Sequence, residues 1–414
     1  MKFSLLVVLK RIRSVTAFVL ILAISSTMAD PVPVSKSFSK FAIQLYQQCV
    51  AEKGGNVIIS PFSVQSALSL ALMGATGETA REMSSTMGYA DPDRNAIAEN
   101  FASLLSTYKD SPQLRIANKL YVQDKFHVKR QFNEIATKKF NSEAQSLNFA
   151  DNVNSAKTIN TWVEEKTNDK IKDLIPADAL DSDTRMVLVN AIYFKGLWEN
   201  KFKPENTKKL PFWTSKDKSV DVEMMYTKAD FKFGVFGDLK ATALEMSYKD
   251  SELSMLIILP NERDGLADLE KALGNKDLSD ITKSMYKTEV IVHLPKFKIE
   301  YDIELKNVLS KMGMGTMFSN AAEFGDLLDE DEPLKVSKVI HKAFIEVNEE
   351  GAEAAAATGL KVRLKRSLVE GDRELFIVDH PCRFYLMAPK DHFSIFEGSL
   401  SDFPADSVST HDEL

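Results

Sequence analysis

Cysteine is nearly absent: Cys49 and Cys382 are the only two in 414 residues. They can pair at most once, so the chain does not rest on a disulfide framework, and both are expected as buried thiols. Histidine is sparse as well. His127, His293, His341, His380, His392 and His411 are scattered without ligand spacing, so no metal site is expected. There is no Gly-x-Ser-x-Gly elbow, no His-Glu-x-x-His helix, no Cys-x-x-Cys pair and no Walker-type phosphate loop. Gly313-Met314-Gly315 lacks a third glycine and a preceding strand, and it reads as a helix end. These absences argue against an enzyme with its own active site, and no cofactor is expected. An Asn-x-Ser/Thr acceptor is missing too, so N-glycosylation is not expected. Basic residues are outnumbered, 52 against 59, giving a net charge of −7. That balance argues against nucleic acid or an anionic membrane surface as partner.

What is present is ordinary for a soluble globular chain: 44% hydrophobic and 27% charged residues. The two ends carry addresses. Residues 1–29 read as a secretory signal peptide: a basic flank at Lys10, Arg11 and Arg13, an apolar core from Val15 to Ile24, and small residues around Ala29. The core is shorter than the roughly 20 residues of a membrane span, so no span is expected after cleavage. The last four residues, His411-Asp412-Glu413-Leu414, form an HDEL retrieval signal. Together they predict the endoplasmic reticulum lumen and early secretory pathway, partial secretion, and an HDEL receptor as partner. Residues 30–410 show no internal repeat and no linker, and they are expected to form one mixed domain and a monomer.

Periodicity predicts helices early and strands late. Ser60-Pro61 looks like a cap followed by proline at the first helical position, and the helix would run to a stop near Gly74 or Gly77. Asp91-Pro92 would start another helix the same way, with Ile97, Phe101, Leu104 and Leu105 on one face. Val153, Ala156, Ile159 and Val163 recur at helical spacing. Leu114 to Val122 alternates like a strand, and Met186 to Phe194 is a continuous apolar run suited to a strand buried on both faces. Leu253 to Leu259, Val290 to Leu294 and Val336 to Val347 are further strand candidates.

The last of these leads into Glu349 to Ser367, whose first half is small and nearly featureless and whose second half is basic. Ala354, Ala355, Ala356 and Ala357 favour helix by propensity, but four residues between Gly351 and Gly359 cannot hold one alone. Two readings follow from composition: a mobile surface linker, or a segment that must enter a crowded place where only small side chains fit. Lys361 and Arg363-Leu364-Lys365-Arg366, followed by Ser367, fit the Arg-x-Lys-Arg pattern cut by furin-like proprotein convertases. Basic side chains at alternate positions of an extended segment can reach acidic pockets through charge-assisted hydrogen bonds. A trypsin-like protease would need Arg366 alone. Lys125, Lys129, Arg130, Lys138 and Lys139 read as a solvated face, and Asp91 to Lys109 holds too few basic residues for a glycosaminoglycan cofactor.

Five stretches in order resemble the serpin family of protease inhibitors. They are Asn56 to Val64 with Gly74 to Thr79, then Asn190 to Trp198 with Phe202, then His341 to Gly351, then Phe376 to Pro381, and finally Phe384 with Phe396 to Gly398. The resemblance covers nearly the whole chain after the signal. It implies an α+β serpin fold: a large central β-sheet, smaller sheets, about eight or nine helices, and an exposed reactive-centre loop at about 349–375. It further implies that Ser60, Ser63, Asn190 and His341 cluster beneath the opening of the sheet, with Trp198 near its top. Glu349, Gly351, Ala352 and Ala354 to Ala357 would be the hinge; Ala352 stands where Thr or Ser is frequent in the family. Arg366-Ser367 would be the reactive bond, although the commonest family spacing would put the cut one residue earlier, after Lys365. The implied function is suicide inhibition of a furin-like, subtilisin-type convertase or another Arg-specific serine protease. A non-inhibitory chaperone of the endoplasmic reticulum and a simple convertase substrate are the alternatives.

Overall fold

The computed structural model describes residues 34–89, 93–109, 111–274, 276–330, 332–350, 374–388, 390 and 393–403. Nine α-helices and fourteen β-strands lie among these residues. The helices are α1 (Val34–Glu52), α2 (Pro61–Leu72), α3 (Gly77–Thr86), α4 (Arg94–Tyr108), α5 (Arg130–Phe140), α6 (Asn152–Lys166), α7 (Leu266–Leu273), α8 (Leu278–Ser284) and α9 (Lys306–Met312). The strands are β1 (Val57–Ile59), β2 (Leu114–Gln123), β3 (Ala144–Leu147), β4 (Met186–Phe194), β5 (Lys208–Ser215), β6 (Lys218–Phe236) and β7 (Ala241–Ser247). Then follow β8 (Ser254–Pro260), β9 (Tyr286–Pro295), β10 (Phe297–Glu304), β11 (Lys338–Val347), β12 (Glu374–Ile377), β13 (Cys382–Ala388) and β14 (Phe393–Leu400).

Local sequence accounts for several of these boundaries. At α2 the Ser60 side chain accepts from the Ser63 N–H and Pro61 takes the first helical position, as the Ser-Pro pair predicts. At α4 the expectation is corrected by two residues. The helix starts at Arg94, and Asp93, not Asp91, caps it by accepting from the N–H groups of Asn95 and Ala96. Gly313 ends α9 at φ 110°, the left-handed conformation that glycine adopts without strain.

The strands form two sheets. One has five strands in the order β10-β11-β4-β2-β3. The other runs β1-β14-β13-β8-β7-β6-β9-β12, with β5 paired to β6. Its parts are joined by the 19-residue β6, which pairs with β5, β9 and β7. The two faces of β4 explain its unbroken apolar run. Met186, Leu188, Ile192 and Phe194 join the main core with α2, while Val187, Val189, Ala191 and Tyr193 pack with Ile159 and Val163 of α6. All nine β4 residues are buried. At the sheet's border β10 alternates buried and exposed residues, because only one of its faces is covered. Cys49 and Cys382 are free and buried, and burial pushes both thiols up to about 12.

In the second sheet Gly398 lies between Ile58 of β1 and Phe384 of β13. A Cβ there would meet the Phe384 ring at 2.3 Å and the Val57 carbonyl oxygen at 2.7 Å. The ring cannot give without disturbing the core and the carbonyl belongs to the backbone. Gly398→Ala should therefore destabilise the fold by about 1–3 kcal/mol, as overpacking does, read as a lower denaturation midpoint with an unchanged slope.

Candidate functional site

The centre of the five-stranded sheet is a seam between β4 and β11, which run parallel from Lys338↔Val187 to Ile345↔Phe194. Every other long ladder of this sheet is antiparallel: β10 with β11 and β2 with β4. Crossing the seam is a row of polar side chains set by register. His341 stands opposite Asn190, and Asn190 opposite Asn118 of β2. All three point toward the N-terminal turn of α2, because strand neighbours in register share one face. Ser60 and Ser63, placed by the cap and first turn of α2, meet them there.

The resulting network is buried and closely satisfied. The Ser60 N–H donates to His341 Nε2 at 3.2 Å, so that nitrogen accepts and Nδ1 carries the proton. Nδ1 bonds Asn190 Oδ1 across the seam. Asn190 Nδ2 donates to Ser63 Oγ and to Asn118 Oδ1. Asn118 Nδ2 in turn donates to Ser66 Oγ at 3.2 Å. Ser60 Oγ donates to the Ile395 carbonyl at 2.6 Å, tying the cluster to β14. His341, Asn190, Ser60 and Ser63 are all 0% exposed. Complete burial pushes the His341 pKa down from 6.5 to about 3, so the ring is neutral at physiological pH.

Thus Ser60, Ser63, Asn190 and His341 come together, and Trp198 does not join them. Trp198 sits beside Asn348, seven residues along from His341 and roughly 20 Å away at strand rise. It stacks on Tyr248 at 4.4 Å and meets Phe202 edge-on. From this aromatic block the chain grips the residues that follow β11. Trp198 Nε1 donates to the Asn348 carbonyl and its N–H to the Glu350 carbonyl, both at 2.9 Å, and the Phe202 N–H donates to the Glu349 carbonyl at 3.0 Å. The Glu349 carboxylate accepts from Thr207 Oγ1 at 2.8 Å and lies 3.4 Å from Lys296 Nζ.

Of the expected hinge, only Glu349 is among the described residues. Gly351, Ala352, Ala354 to Ala357, Lys361, Arg363, Lys365, Arg366 and Ser367 lie outside them, as do residues 1–29 and 411–414. The described chain leaves at Glu350, beside Trp198, and resumes at Glu374, where β12 begins next to β9. Sequence reasoning missed Asn118, the third member of the polar row. Its signal is an amide at a core-facing position of a strand otherwise read as apolar on that side. Lys296 and Thr207 were missed for a different reason: they come from elements distant in sequence.

Residues 36–403 match the family described as Serpin (serine protease inhibitor). The chain is a serpin. Among its relatives, antichymotrypsin-2 of Bombyx mori is 41% identical over 362 residues, covering 86% of this chain and 95% of that one. Serpin B4 of Homo sapiens is 38% identical, covering 89% and 99%. The solved structure of cleaved Serpin 42Da is 45% identical, with a TM-score of 0.81 over 89% of this chain and 98% of that one. The α+β serpin fold is thereby established, and membership places the chain in the family of serine protease inhibitors.

The neutral His341 makes stability depend on pH in a defined direction. Its folded pKa lies below its unfolded value, so its contribution is intact above about 6.5 and is lost as pH falls from there toward 3. The slope from this one group is about 1.4 kcal/mol per pH unit. Urea midpoints between pH 7.5 and 5 should fall more steeply for the unaltered chain than for His341→Gln. Equal slopes would show that the ring is not held neutral.

Proposed function

We propose that this serpin is a suicide inhibitor of furin-like proprotein convertases in the early secretory pathway, cleaved at Arg366-Ser367. The observation that carries the inhibitory part is the seam. The loop begins three residues after β11, so a segment that doubles back beside β11 must run antiparallel to it. Because β4 is parallel to β11, the same segment is antiparallel to β4 as well. One strand therefore suits both edges, and insertion replaces one parallel ladder of eight residue pairs with two antiparallel ones. At about 1 kcal/mol net for each added backbone hydrogen bond, the gain is several kcal/mol before side-chain burial. A strand entering there is buried on both faces, as β4 is. That suits Ala352 and Ala354 to Ala357, because bulk or charge would oppose insertion.

The chemistry balances without any cofactor. The protease serine attacks the Arg366 carbonyl, the Arg366–Ser367 peptide bond breaks, and Ser367 leaves as a new amino terminus. The acyl-enzyme ester remains on Arg366, and insertion of the segment before it carries the protease along. Trp198 and Phe202 hold the foot of the loop at Asn348–Glu350, and the Asn190–His341 contact holds the seam shut until then.

The choice of target rests on the bait and the addresses. Antichymotrypsin-2 and antitrypsin of Bombyx mori are 41% and 40% identical to this chain, so framework likeness does not select a protease. Arg363, Lys365 and Arg366, with Lys361 upstream, offer basic side chains in the convertase pattern. The signal peptide and the HDEL signal bring that bait to the compartments through which convertases mature.

A denaturing gel of the mature chain mixed with furin, with Arg366→Ala alongside, tests the inhibitory claim. The expected result is a covalent band near the summed masses, absent from the variant. Clean cleavage after Arg366 with no such band would make the chain a substrate. Location is tested separately by deleting His411 to Leu414, which should move the protein from the cell to the medium. An unchanged distribution would remove the retrieval reading.

A further inference from the structure

The edge of β2 that faces away from β4 is only partly covered. β2 pairs with β4 from Leu114 to Val122, but with β3 only from Leu120 to Gln123. The bond from the Lys195 N–H to the Gln113 carbonyl, 2.6 Å, sets the phase of the β2–β4 ladder. Odd-numbered residues of β2 face β4, and the backbone groups of Leu114, Ile116 and Asn118 face outward. Ser111 Oγ accepts the Leu114 N–H at 3.2 Å, and Ser142 Oγ donates to the Asn118 carbonyl at 2.7 Å. For the outward N–H and carbonyl of Ile116 there is no partner among the described residues.

This edge opens into a cleft of about 640 Å³ between the ends of α4 and α5 on one side and α6 on the other. The two walls differ. Leu105 and Phe140 make one wall apolar, while Arg115 and Lys166 stand with Trp162 at the other. Lys119 is neutralised by Glu143 at 2.6 Å. Arg115 and Lys166 make no ion pair among the described residues, and the Arg115 Nε is buried without a hydrogen bond. A positive cleft on a chain of net charge −7 is a local reversal of sign.

We propose that this open edge of β2 docks an extended segment of a partner protein whose residues alternate acidic and apolar. Added as a strand beside Leu114–Asn118, such a segment places successive side chains on opposite faces. One set meets Leu105 and Phe140; the other set brings carboxylates to Arg115 and Lys166. Its backbone takes up the Ile116 N–H and carbonyl. The site is separate from the seam, since β4 stands between them, and it does not depend on which protease the loop attracts.

The test uses a fluorescein-labelled peptide of alternating Glu and Leu/Val, titrated with the full mature chain and followed by anisotropy. Saturable binding is expected, weakened about tenfold or more by Arg115→Glu and by Ile116→Pro. The proline removes the outward N–H together with the Ile116 side chain packed against the core, and it takes away no hydrogen bond to β4. A peptide N-methylated on the edge-facing residues, tried on the unaltered chain, should bind about tenfold more weakly or worse, whatever the folding of the variants. Failure of the acidic peptide to bind overturns the proposal, as does equal binding of its lysine counterpart or indifference to N-methylation. Binding seen only with a chain ending at Phe403 would assign the edge to the acidic tail of this protein and overturn the partner.

Discussion

The seam between β4 and β11 is the constraint on which the rest depends. Two strands in the middle of a sheet run the same way, although each is flanked by an antiparallel neighbour. A parallel ladder is slightly the weaker kind per residue. Its flanks are long antiparallel ladders, so if the sheet parts anywhere, it parts with β10 and β11 moving together and β4 remaining with β2. The same geometry makes the gap so opened acceptable to one strand running opposite to both edges. A sheet with β4 and β11 antiparallel would offer no such place.

A seam that opens on cleavage, as proposed, and stays shut until then needs closures that are specific and few. A purely apolar seam would be held by packing spread along its length. Here the row of Asn118, Asn190 and His341 concentrates the closure at one level of the strands. Buried amides and a buried imidazole are costly unless every group is paired, so the row favours one arrangement strongly over any near neighbour. Asn190 is the common member: it bonds His341 on one side of the seam and Ser63 and Asn118 on the other. Separating the strands breaks the first of these and spares the others. The Trp198 block acts at the other end, gripping backbone carbonyls of Asn348 to Glu350 rather than the strand itself. Side-chain closure in the middle and backbone closure at the loop's foot are independent holds, and a segment that enters from the foot meets them one after the other.

Much of this was legible in the sequence because it is local or periodic. Ser60-Pro61 announces α2, and the unbroken run from Met186 to Phe194 announces a strand covered on both faces. The ordered stretches shared with serpins carried the fold and placed Ser60, Ser63, Asn190 and His341 in one cluster. What could not be read was register. Asn118 belongs to the row only because β2 pairs with β4 in one phase, and a slip of one residue would turn it to the other face. The helix at Arg94 began two residues later than Asp91-Pro92 suggests, since Asp93 also has the chemistry of a cap and accepts from the Asn95 and Ala96 N–H groups. The 19-residue β6, which joins the parts of the second sheet, leaves little periodic trace because its partners, and hence its buried faces, change along its length.

Framework and bait divide the work of this protein between separate kinds of residue. On the mechanism proposed, the framework stores a difference in ladder energy set mainly by backbone pairing at the seam. The residues the protease reads, on the same mechanism, stand at the far end of the inserting segment, beside the Arg366–Ser367 bond, so they can vary to match a protease that reads an extended segment. Relatives of nearly equal identity to this chain carry names that point to different proteases. The division also has a limit. On that mechanism Ala352 and Ala354 to Ala357 belong to both halves: they would be displayed with the bait before cleavage and buried after insertion. Small apolar side chains are the ones that tolerate water at modest cost and burial at none. For that reason the least distinctive stretch of the chain is the one most tightly constrained by the mechanism proposed for it.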